Sequence, residues 1–333
     1  AFMKIAIVKL SALGDIVHAM VVLQFIKKHN QDIKIDWVVE ESYKKLLEFH
    51  PDINKVHTVN LKRTKKKKSL FLLFKEIKRV RQFGRYDLVI DMQGLVKSAL
   101  ISHFISSTHT LGFDKFSARE SFASMFYSKT FHYNYEKNII ERNFEIIKFA
   151  LRLKTSKVEI LKKLPFLYPR DKYFDNTLSN IKKNIILVPG ASHASKRYPI
   201  ENFAKFTDLL DANYLIIWGN AEEKSLAKKI KNLAPEVNIC EKLSISALIS
   251  LISQANLVIG SDTGPTHMGW ALNIPSITLF GSTPGYRNTC ITDKNKILES
   301  NSNVNPYRIN KNDHTIRDIS IDEIVKIAKS LLY

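Results

Sequence analysis

Short apolar segments alternate with longer amphipathic segments along the first part of the chain. Apolar, β-branched runs at residues 5–8, 33–39, 56–60, 86–91 and 108–112 predict strands. Helical spacing of apolar residues predicts helices at residues 16–28, 41–50 and 95–105. Because strands that alternate with helices form a parallel sheet covered on both faces, this part of the chain predicts an α/β domain.

The alternation stops after residue 116 and starts again near residue 184. Residues 117–153 have helical spacing and no predicted strand, and residues 166–183 mix lysines, a proline and aromatic residues as a linker would. The second set of predicted strands is at residues 184–188, 214–218, 237–240, 257–259 and 276–280. The second set of predicted helices is at residues 199–210, 221–233, 245–254, 265–272 and 321–332. The pattern therefore predicts two α/β domains in tandem, 1–165 and 184–318, facing a central cleft, with a C-terminal helix within 319–333 that could pack back on the first domain.

Charge separates the two halves more sharply than hydropathy does. The 333 residues have a formal net charge of +19, and the first 170 contain 32 Lys and Arg against 16 Asp and Glu. Residues 62–85 alone hold 11 cations against the single acid Glu76, around the apolar run 70–74. This segment suits an anionic membrane surface, nucleic acid, or a solvated loop that leads into an ordinary helix.

Several classes of protein are excluded by composition. With only two cysteines, a disulfide framework or a cysteine-rich zinc site is excluded, and a reducing cytosol is expected. No apolar run approaches the roughly 18–20 residues of a membrane span, and residues 4–8 predict a strand rather than a signal peptide. The G-x-G-x-x-G fingerprint is absent after the first strand, which argues against a dinucleotide-dependent dehydrogenase.

Two loops of the second half could bind an anion. Gly260-Ser261-Asp262-Thr263-Gly264-Pro265-Thr266-His267 follows a strand and begins a helix, as an anion site or as a plain helix cap. The loop 189–197 contains Lys196 and Arg197, and it is either a phosphate loop or a solvated basic loop. Glu222, after a third strand, is a cap acid or a ribose ligand.

In the first half, Asp15 is the candidate for chemistry. It follows Ser11-Ala12-Leu13-Gly14 at the predicted start of a helix, where the helix dipole alone would favour an acid. An ordinary N-terminal helix acid and a functional carboxylate both agree with this position, so the local pattern leaves the choice open.

Five blocks in order resemble the bacterial heptosyltransferases, glycosyltransferase family 9. They are Ile7-Val-Lys9 with Ser11-x-x-Gly14-Asp15-x-x-His18, Asp36-Trp-Val-Val-Glu-Glu41, Asp91-x-Gln-Gly-Leu-Val-Lys-Ser-Ala99, Ala118-Arg-Glu120 with Ala123-Ser-x-Phe-Tyr127, and Asp262-Thr-Gly264 with His267. The second and third blocks favour the heptosyltransferase I branch over heptosyltransferase II.

The resemblance implies a GT-B enzyme with two Rossmann-like α/β/α domains. It implies inverting, metal-independent transfer of L-glycero-D-manno-heptose from ADP-heptose to the Kdo of Kdo-lipid A, with no cofactor. This step belongs to inner-core lipopolysaccharide or lipooligosaccharide synthesis in Gram-negative bacteria. The enzyme would be cytoplasmic and peripheral on the anionic inner membrane, and nucleic acid would not be a partner.

The resemblance also assigns roles to residues. Asp15 matches the general base. The residues assigned to the donor are Lys196, Ser192, Glu222, Asp262, Thr263, Gly264 and His267, and those assigned to the anionic acceptor are Arg63, Arg119 and Arg142. No metal ligand is expected. The alternatives are a heptosyltransferase II or related core glycosyltransferase with another acceptor, and a non-catalytic sugar-nucleotide-binding or nucleic-acid-binding protein.

Overall fold

The computed structural model describes residues 2–333 and divides into two compact units, with the boundary between Phe166 and Leu167. Most of the segment predicted as a linker is part of the second unit. There the backbone N–H of Arg170 donates to Ser246 Oγ at 2.7 Å, and that of Tyr173 to Ser250 Oγ at 2.8 Å. These bonds fix the segment, predicted from the sequence as a linker at 166–183, against a helix of that unit.

The first unit is built on a parallel sheet of six strands in the order β3-β2-β1-β4-β5-β6. The strands are β1 Lys4–Val8, β2 Lys34–Glu40, β3 Lys55–Val59, β4 Arg85–Asp91, β5 Ser106–Phe113 and β6 Lys129–Phe131. The prediction that residues 117–153 contain no strand is wrong. The edge strand β6 lies there, and its three partly exposed residues are too few to show a period of two.

Seven α-helices accompany this sheet. They are α1 Leu13–Met20, α2 Val22–His29, α3 Lys44–Leu47, α4 Leu61–Lys67, α5 Leu70–Val80, α6 Val96–Phe104 and α7 Ile139–Leu151. Short 3₁₀ helices occupy Glu41–Tyr43, Ser121–Phe126 and Lys157–Lys162. The inner faces of α5 and α6 pack on the sheet through Val80 and Ile101.

The second unit repeats the plan with the sheet order β12-β11-β10-β7-β8-β9. Its strands are β7 Asn184–Val188, β8 Asn213–Ile216, β9 Asn238–Ile239, β10 Leu257–Ser261, β11 Ser276–Phe280 and β12 Asn295–Glu299. Its helices are α8 Ile200–Leu209, α9 Ala221–Leu233, α10 Ile245–Ser253, α11 Gly264–Ala271, α12 Gly285–Asn288 and α13 Ile321–Leu332, with 3₁₀ helices at Ala194–Lys196 and Thr315–Asp318. In each unit the order corresponds to the doubly wound 3-2-1-4-5-6, which confirms the two Rossmann-like domains.

The C-terminal helix α13 belongs to the second unit. Its buried residues Ile324, Ala328 and Leu332 are part of that unit's hydrophobic core, and the helix packs against α8, β10 and β11. Packing back on the N-terminal domain was a possibility that the sequence left open. The buried apolar face of α13 is used within its own unit.

Candidate functional site

In a doubly wound sheet, ligands bind where neighbouring strands lead to opposite faces, beyond the carboxyl ends of the strands. In the second unit this point lies between β7 and β10, which pair with Val188 opposite Gly260. Both loops singled out in the second half leave these two strands. The topology therefore brings the loop 189–197 next to the start of α11.

Asp262 is the centre of a polar cluster in this position. Its Oδ1 lies 2.7 Å from His267 Nε2, and its Oδ2 lies 3.8 Å from Lys196 Nζ. Asn288 Nδ2 donates to the same Oδ2 at 3.0 Å. The structure thus joins three of the predicted donor residues, and it adds Asn288, which the sequence patterns did not identify.

The Asp262 carboxyl stays ionised in this cluster. Burial by itself would raise its pKa, but the charge of Lys196 and the hydrogen bond and charge of His267 outweigh burial, with help from Asn288. The pKa of Asp262 is therefore held well below its ordinary value. The ionised Asp262 holds Lys196 and His267 where the segments after β7 and β10 come together.

The start of α11 has the form of an anion site more than that of a capped helix. Thr263 is the N-cap residue and makes no side-chain capping bond within the described part of the chain, while its Oγ1 lies 3.2 Å from Thr266 Oγ1. Gly264 is the first helical residue, so the N–H groups of this turn lack a side-chain acceptor. A Cβ at Gly260 would overlap Thr266 and Val188, so only glycine allows the two loops to approach this closely.

Both glutamates at the start of α9 contact the loop that follows β7, Glu222 through Arg197 and Glu223 against Gly190. Glu222 is exposed and its carboxylate is bound to Arg197 at 2.7 Å, which lowers the pKa of Glu222. Glu223 accepts a hydrogen bond from Gly219 N at 2.6 Å and lies against Gly190. The sequence signal was present: Asn220 caps α9 and places a glutamate at its third position.

Ser192 is exposed in the loop 189–197. The buried hydroxyl of that loop is Ser195, which lies 3.3 Å from Ser282 Oγ. The sequence pattern therefore predicted the correct loop. The hydroxyl that joins this loop to the end of β11 belongs to Ser195, three residues after Ser192.

The first unit has its own switch point between β1 and β4, where Val8 lies opposite Asp91. The loop after β1 leads to Asp15 in the first turn of α1, half-buried, with Oδ2 3.3 Å from Ala12 N. Gln93, after β4, accepts hydrogen bonds from Leu10 N at 3.1 Å and Ser11 N at 3.4 Å. Gln93 thus holds the loop that carries Asp15.

The buried Asp91 in turn fixes Gln93. Asp91 accepts hydrogen bonds from Gln93 N at 2.8 Å, from the Ser98 hydroxyl at 2.9 Å and from the Tyr127 hydroxyl. A buried carboxylate with this many donors is a rigid anchor. Asp91 and Gln93 belong to one of the five blocks that resemble the family, but the sequence assigned neither of them a role.

The three predicted acceptor arginines differ in their surroundings. Arg119 is exposed beside Gly94, whose carbonyl accepts from Glu120 N at 3.3 Å, and Arg63 is exposed on α4. Arg142 is buried, and its guanidinium donates to Tyr133 O at 2.5 Å and Ser117 O at 2.9 Å. Through these bonds Arg142 holds the segment that leads to Arg119, and its direct contact with the acceptor stays a prediction.

A buried carboxylate, Glu40, lies at the end of β2 close to two cations. Its exposed fraction is 2%, and its backbone N–H donates to Leu10 O at 3.1 Å. Burial raises the pKa of Glu40, while Lys97 and Lys62 oppose the rise. Glu40 therefore lies within electrostatic reach of Lys62 on α4 and Lys97 on α6, at the carboxyl edge of the first sheet.

Across residues 2–333, no three His, Cys, Asp or Glu side chains are grouped so that they could hold a metal ion.

Known proteins resemble this chain in sequence and in fold. Residues 73–314 match the family described as glycosyltransferase family 9 (heptosyltransferase). Lipopolysaccharide heptosyltransferase 1 of Campylobacter coli is 38% identical, over 99% of this chain and 99% of the relative.

Two solved structures of the E. coli heptosyltransferase WaaC share the fold. The structure with ADP has a TM-score of 0.81 at 23% identity and covers 99% of this chain and all of the other. The structure with ADP-2-deoxy-2-fluoro heptose has a TM-score of 0.78 at 23% identity and covers 98% of this chain and 99% of the other. The doubly wound units and the polar cluster around Asp262 agree with the family match. This chain therefore belongs to glycosyltransferase family 9, the heptosyltransferases, and is a glycosyltransferase of GT-B architecture.

Proposed function

We propose that this protein transfers L-glycero-D-manno-heptose from ADP-heptose to the Kdo of Kdo-lipid A in the inner core. The observation that carries the proposal is the cluster of Lys196, Asp262 and His267 at the switch point of the second unit. The cluster suits a sugar linked to a diphosphate, since it combines cations with a helix start. The match to a relative named lipopolysaccharide heptosyltransferase 1 supports the choice of sugar and pathway.

On the donor side, the departing ADP would be stabilised by the protein's own groups. Lys196, the His267 ring and the backbone N–H groups of Thr263 and Gly264 at the start of α11 are the donors for the diphosphate. They would supply the charge stabilisation that a metal ion supplies in other glycosyltransferases, so we propose metal-independent transfer without a cofactor. Asp262 keeps Lys196 and His267 in place and would contact the heptose.

On the acceptor side, Asp15 is proposed as the general base. It would remove the proton from the Kdo hydroxyl as that oxygen attacks C1 of the heptose and the bond to ADP breaks. A single displacement with one base inverts the anomeric centre. Charge develops on both the sugar ring and the leaving group in the transition state. Arg119 and Arg63 would hold the anionic acceptor. Arg142 would stabilise the backbone segment that leads to Arg119.

Acceptor-dependent release of ADP tests this function. The purified protein is incubated with ADP-heptose and Kdo-lipid A in EDTA, and ADP is measured against reactions without acceptor, with lipid A that lacks Kdo, and with Kdo-lipid A that already carries one heptose. We expect release only with Kdo-lipid A. Release that requires an acceptor already carrying heptose would favour heptosyltransferase II activity, and no release above background would reject catalysis of this transfer.

Gln93 provides a test of positioning. The Gln93→Ala substitution removes the acceptor for Leu10 N and Ser11 N, so the loop before Asp15 should loosen. We expect kcat to fall on the order of tenfold to a hundredfold with little change in ADP binding. Gln82→Ala, at an exposed glutamine of the same unit, is the matched control. An unchanged kcat for Gln93→Ala would remove the positioning role.

We further propose that the basic helix pair, α4 with α5, binds the anionic cytoplasmic face of the inner membrane. The segment is a pair of helices rather than the loop that one interpretation expected. Leu70, Phe71 and Phe74 are 82%, 73% and 66% exposed beside the lysines. Exposed aromatic residues flanked by lysines fit a bilayer interface. No helix within residues 2–333 has both the length and the apolar character to cross a membrane.

Neutralising Lys65, Lys66, Lys67 and Lys68 to glutamine should weaken association with anionic vesicles. Each cation near such a surface contributes about 1 kcal/mol at low ionic strength. For four cations this is about 4 kcal/mol, so we expect a loss on the order of a thousandfold in partitioning, diminished in high salt. Four glutamines in place of Lys224, Lys228, Lys229 and Lys231 on α9 form the control, and sedimentation with vesicles is the measurement. Equal binding by both variants would mean that the segment is an ordinary solvated surface.

A further inference from the structure

A second apolar surface lies on the first unit, away from the basic helix pair in sequence. The 3₁₀ helix Ser121–Phe126 exposes Phe122 and Met125 by 72% and 76%, and Phe116 just before it is 70% exposed. Large apolar side chains of this kind are costly to leave in water, and a group of them marks an interaction surface.

The inner side of this 3₁₀ helix is firmly anchored. Ala123 is fully buried and packs with Ala99 of α6, and the Tyr127 hydroxyl bonds to the buried Asp91. The Tyr127 ring lies directly over Gly112, where a Cβ would overlap it. Because its inner side is anchored, the helix holds Phe122 and Met125 outward as part of the fold.

The two apolar surfaces flank one helix. α6 packs against α5 on one side and against the 3₁₀ helix on the other. Leu73 of α5 joins the same core as Ile101 of α6, and Ala123 of the 3₁₀ helix contacts Ala99 of α6. The three helices therefore form one layer on one face of the sheet, with exposed apolar groups at both sides of α6.

Both surfaces also lie toward the edge of the sheet that carries Asp15. The apolar residues of α5 are in its N-terminal half, which follows the carboxyl end of β3, and the segment 114–126 follows the carboxyl end of β5. The carboxyl ends of parallel strands share one edge. Asp15 comes directly after the carboxyl end of β1 at that edge.

The surroundings of the second surface are cationic. Lys97, Lys115 and Arg119 are exposed there, three cations against the two acids Asp114 and Glu120. Glu120 accepts from Val96 N at 2.9 Å, and Asp114 is paired with His132 at 2.9 Å. Aromatic and methionine side chains among exposed cations match the interface of an anionic bilayer more closely than an uncharged protein groove.

We propose that the 3₁₀ helix Ser121–Phe126 is a second membrane contact, so that the first unit docks on an anionic bilayer at two points on either side of α6. Phe122 and Met125 insert at the level of the acyl chains, and Lys97 and Arg119 lie at the headgroups. Two contacts fix the orientation of the unit and turn the edge that carries Asp15 toward the lipid surface. The inference rests on the proposed function, because a lipid-linked acceptor requires that orientation.

The test compares paired substitutions on vesicles of phosphatidylethanolamine and phosphatidylglycerol. Phe122→Ser with Met125→Ser removes the second contact, and Phe71→Ser with Phe74→Ser removes the first. Phe174→Ser with Leu233→Ser removes exposed apolar side chains of the second unit as a control. We expect each of the first two pairs to lower partitioning about tenfold and the control pair to leave it unchanged.

Insertion is measured separately with Phe122→Trp and brominated lipids. All the replaced side chains are exposed, so thermal unfolding should be unaltered and serves as the check on folding. We expect the added tryptophan to be quenched by the brominated acyl chains. Unchanged partitioning of the Phe122 and Met125 variant, or an unquenched Trp at 122, overturns the second contact and leaves a protein partner as the occupant.

Failure of this inference can be told apart from failure of the proposed function. The unaltered protein is assayed for ADP release with a water-soluble acceptor that carries Kdo but no acyl chains. Release with this acceptor together with unchanged vesicle binding by the Phe122 and Met125 variant rejects only the second contact. Absence of release, whatever the vesicles show, rejects the proposed function and with it the reason for the orientation.

Discussion

Substitution of Asp15 by alanine is expected to lower kcat on the order of a thousandfold while ADP-heptose still binds. A positioned general base contributes about 10²–10⁴ to a rate, and the proposal gives this role to Asp15 alone. The donor residues are all in the second unit, so removing a carboxylate at the start of α1 should leave their contacts intact. Single-turnover kinetics measures the chemical step, and calorimetry measures donor binding.

Asp32→Ala is the matched control for this substitution. Asp32 is an exposed aspartate of the same unit, and its loss should leave kcat near that of the unaltered protein. The base role fails if Asp15→Ala weakens donor binding as much as it lowers kcat, because that result would make Asp15 a donor ligand.

The second large effect is expected for Lys196→Ala. Lys196 Nζ lies 3.8 Å from Asp262 and is the cation that the proposal places on the departing diphosphate. Removing one preorganised group of this kind costs about 10²–10³ in kcat, or about 3–4 kcal/mol. We expect ADP affinity to fall as well, because the charge is already present in the ground state of the donor.

The folded state should tolerate this change. Asp262 keeps its bonds to His267 and Asn288, so thermal unfolding should move by only a few degrees. Lys205→Ala, at an exposed lysine of α8, is the control, and Lys196→Arg should restore part of kcat since it keeps the charge. An unchanged kcat for Lys196→Ala would leave the diphosphate role to the start of α11.

Local patterns predicted most of the fold because its central strands are buried on both faces. β1, β7 and β10 each contain an unbroken apolar run, and such runs are visible without any tertiary information. β6 was missed, since an exposed edge strand lacks that signature, and no strand was predicted at β12, which is only partly buried. The place of α13 depends on tertiary packing, which its amphipathic pattern does not specify.

The candidate site was predictable where a motif occupies the end of a buried strand. Lys196 and Asp262 lie after β7 and β10, with His267 in α11 just beyond Asp262, and adjacent strands bring such segments together. Gln93 was missed because its partners Leu10 and Ser11 are more than 80 residues earlier and are backbone groups. No side-chain pattern encodes a contact of that kind.

Arg142 and Glu222 show what residue type and spacing do not predict. Arg142 occupies a position matched to an acceptor ligand, yet its guanidinium donates hydrogen bonds to two backbone carbonyls inside the unit. Glu222 and Glu223 are adjacent, and the cap at Asn220 decides which of them faces Gly190. Residue type and spacing identify the loop, whereas the direction of each side chain depends on its local hydrogen bonds.

The most direct test of the proposed transfer is the identity of its product. The protein is incubated in EDTA with ADP-L-glycero-β-D-manno-heptose and Kdo-lipid A, and the acceptor is analysed by mass spectrometry and NMR. The account predicts an acceptor that has gained one heptosyl residue on Kdo, with the anomeric configuration inverted to α. An unmodified acceptor, a heptosyl residue on another sugar, or a retained β configuration would contradict it.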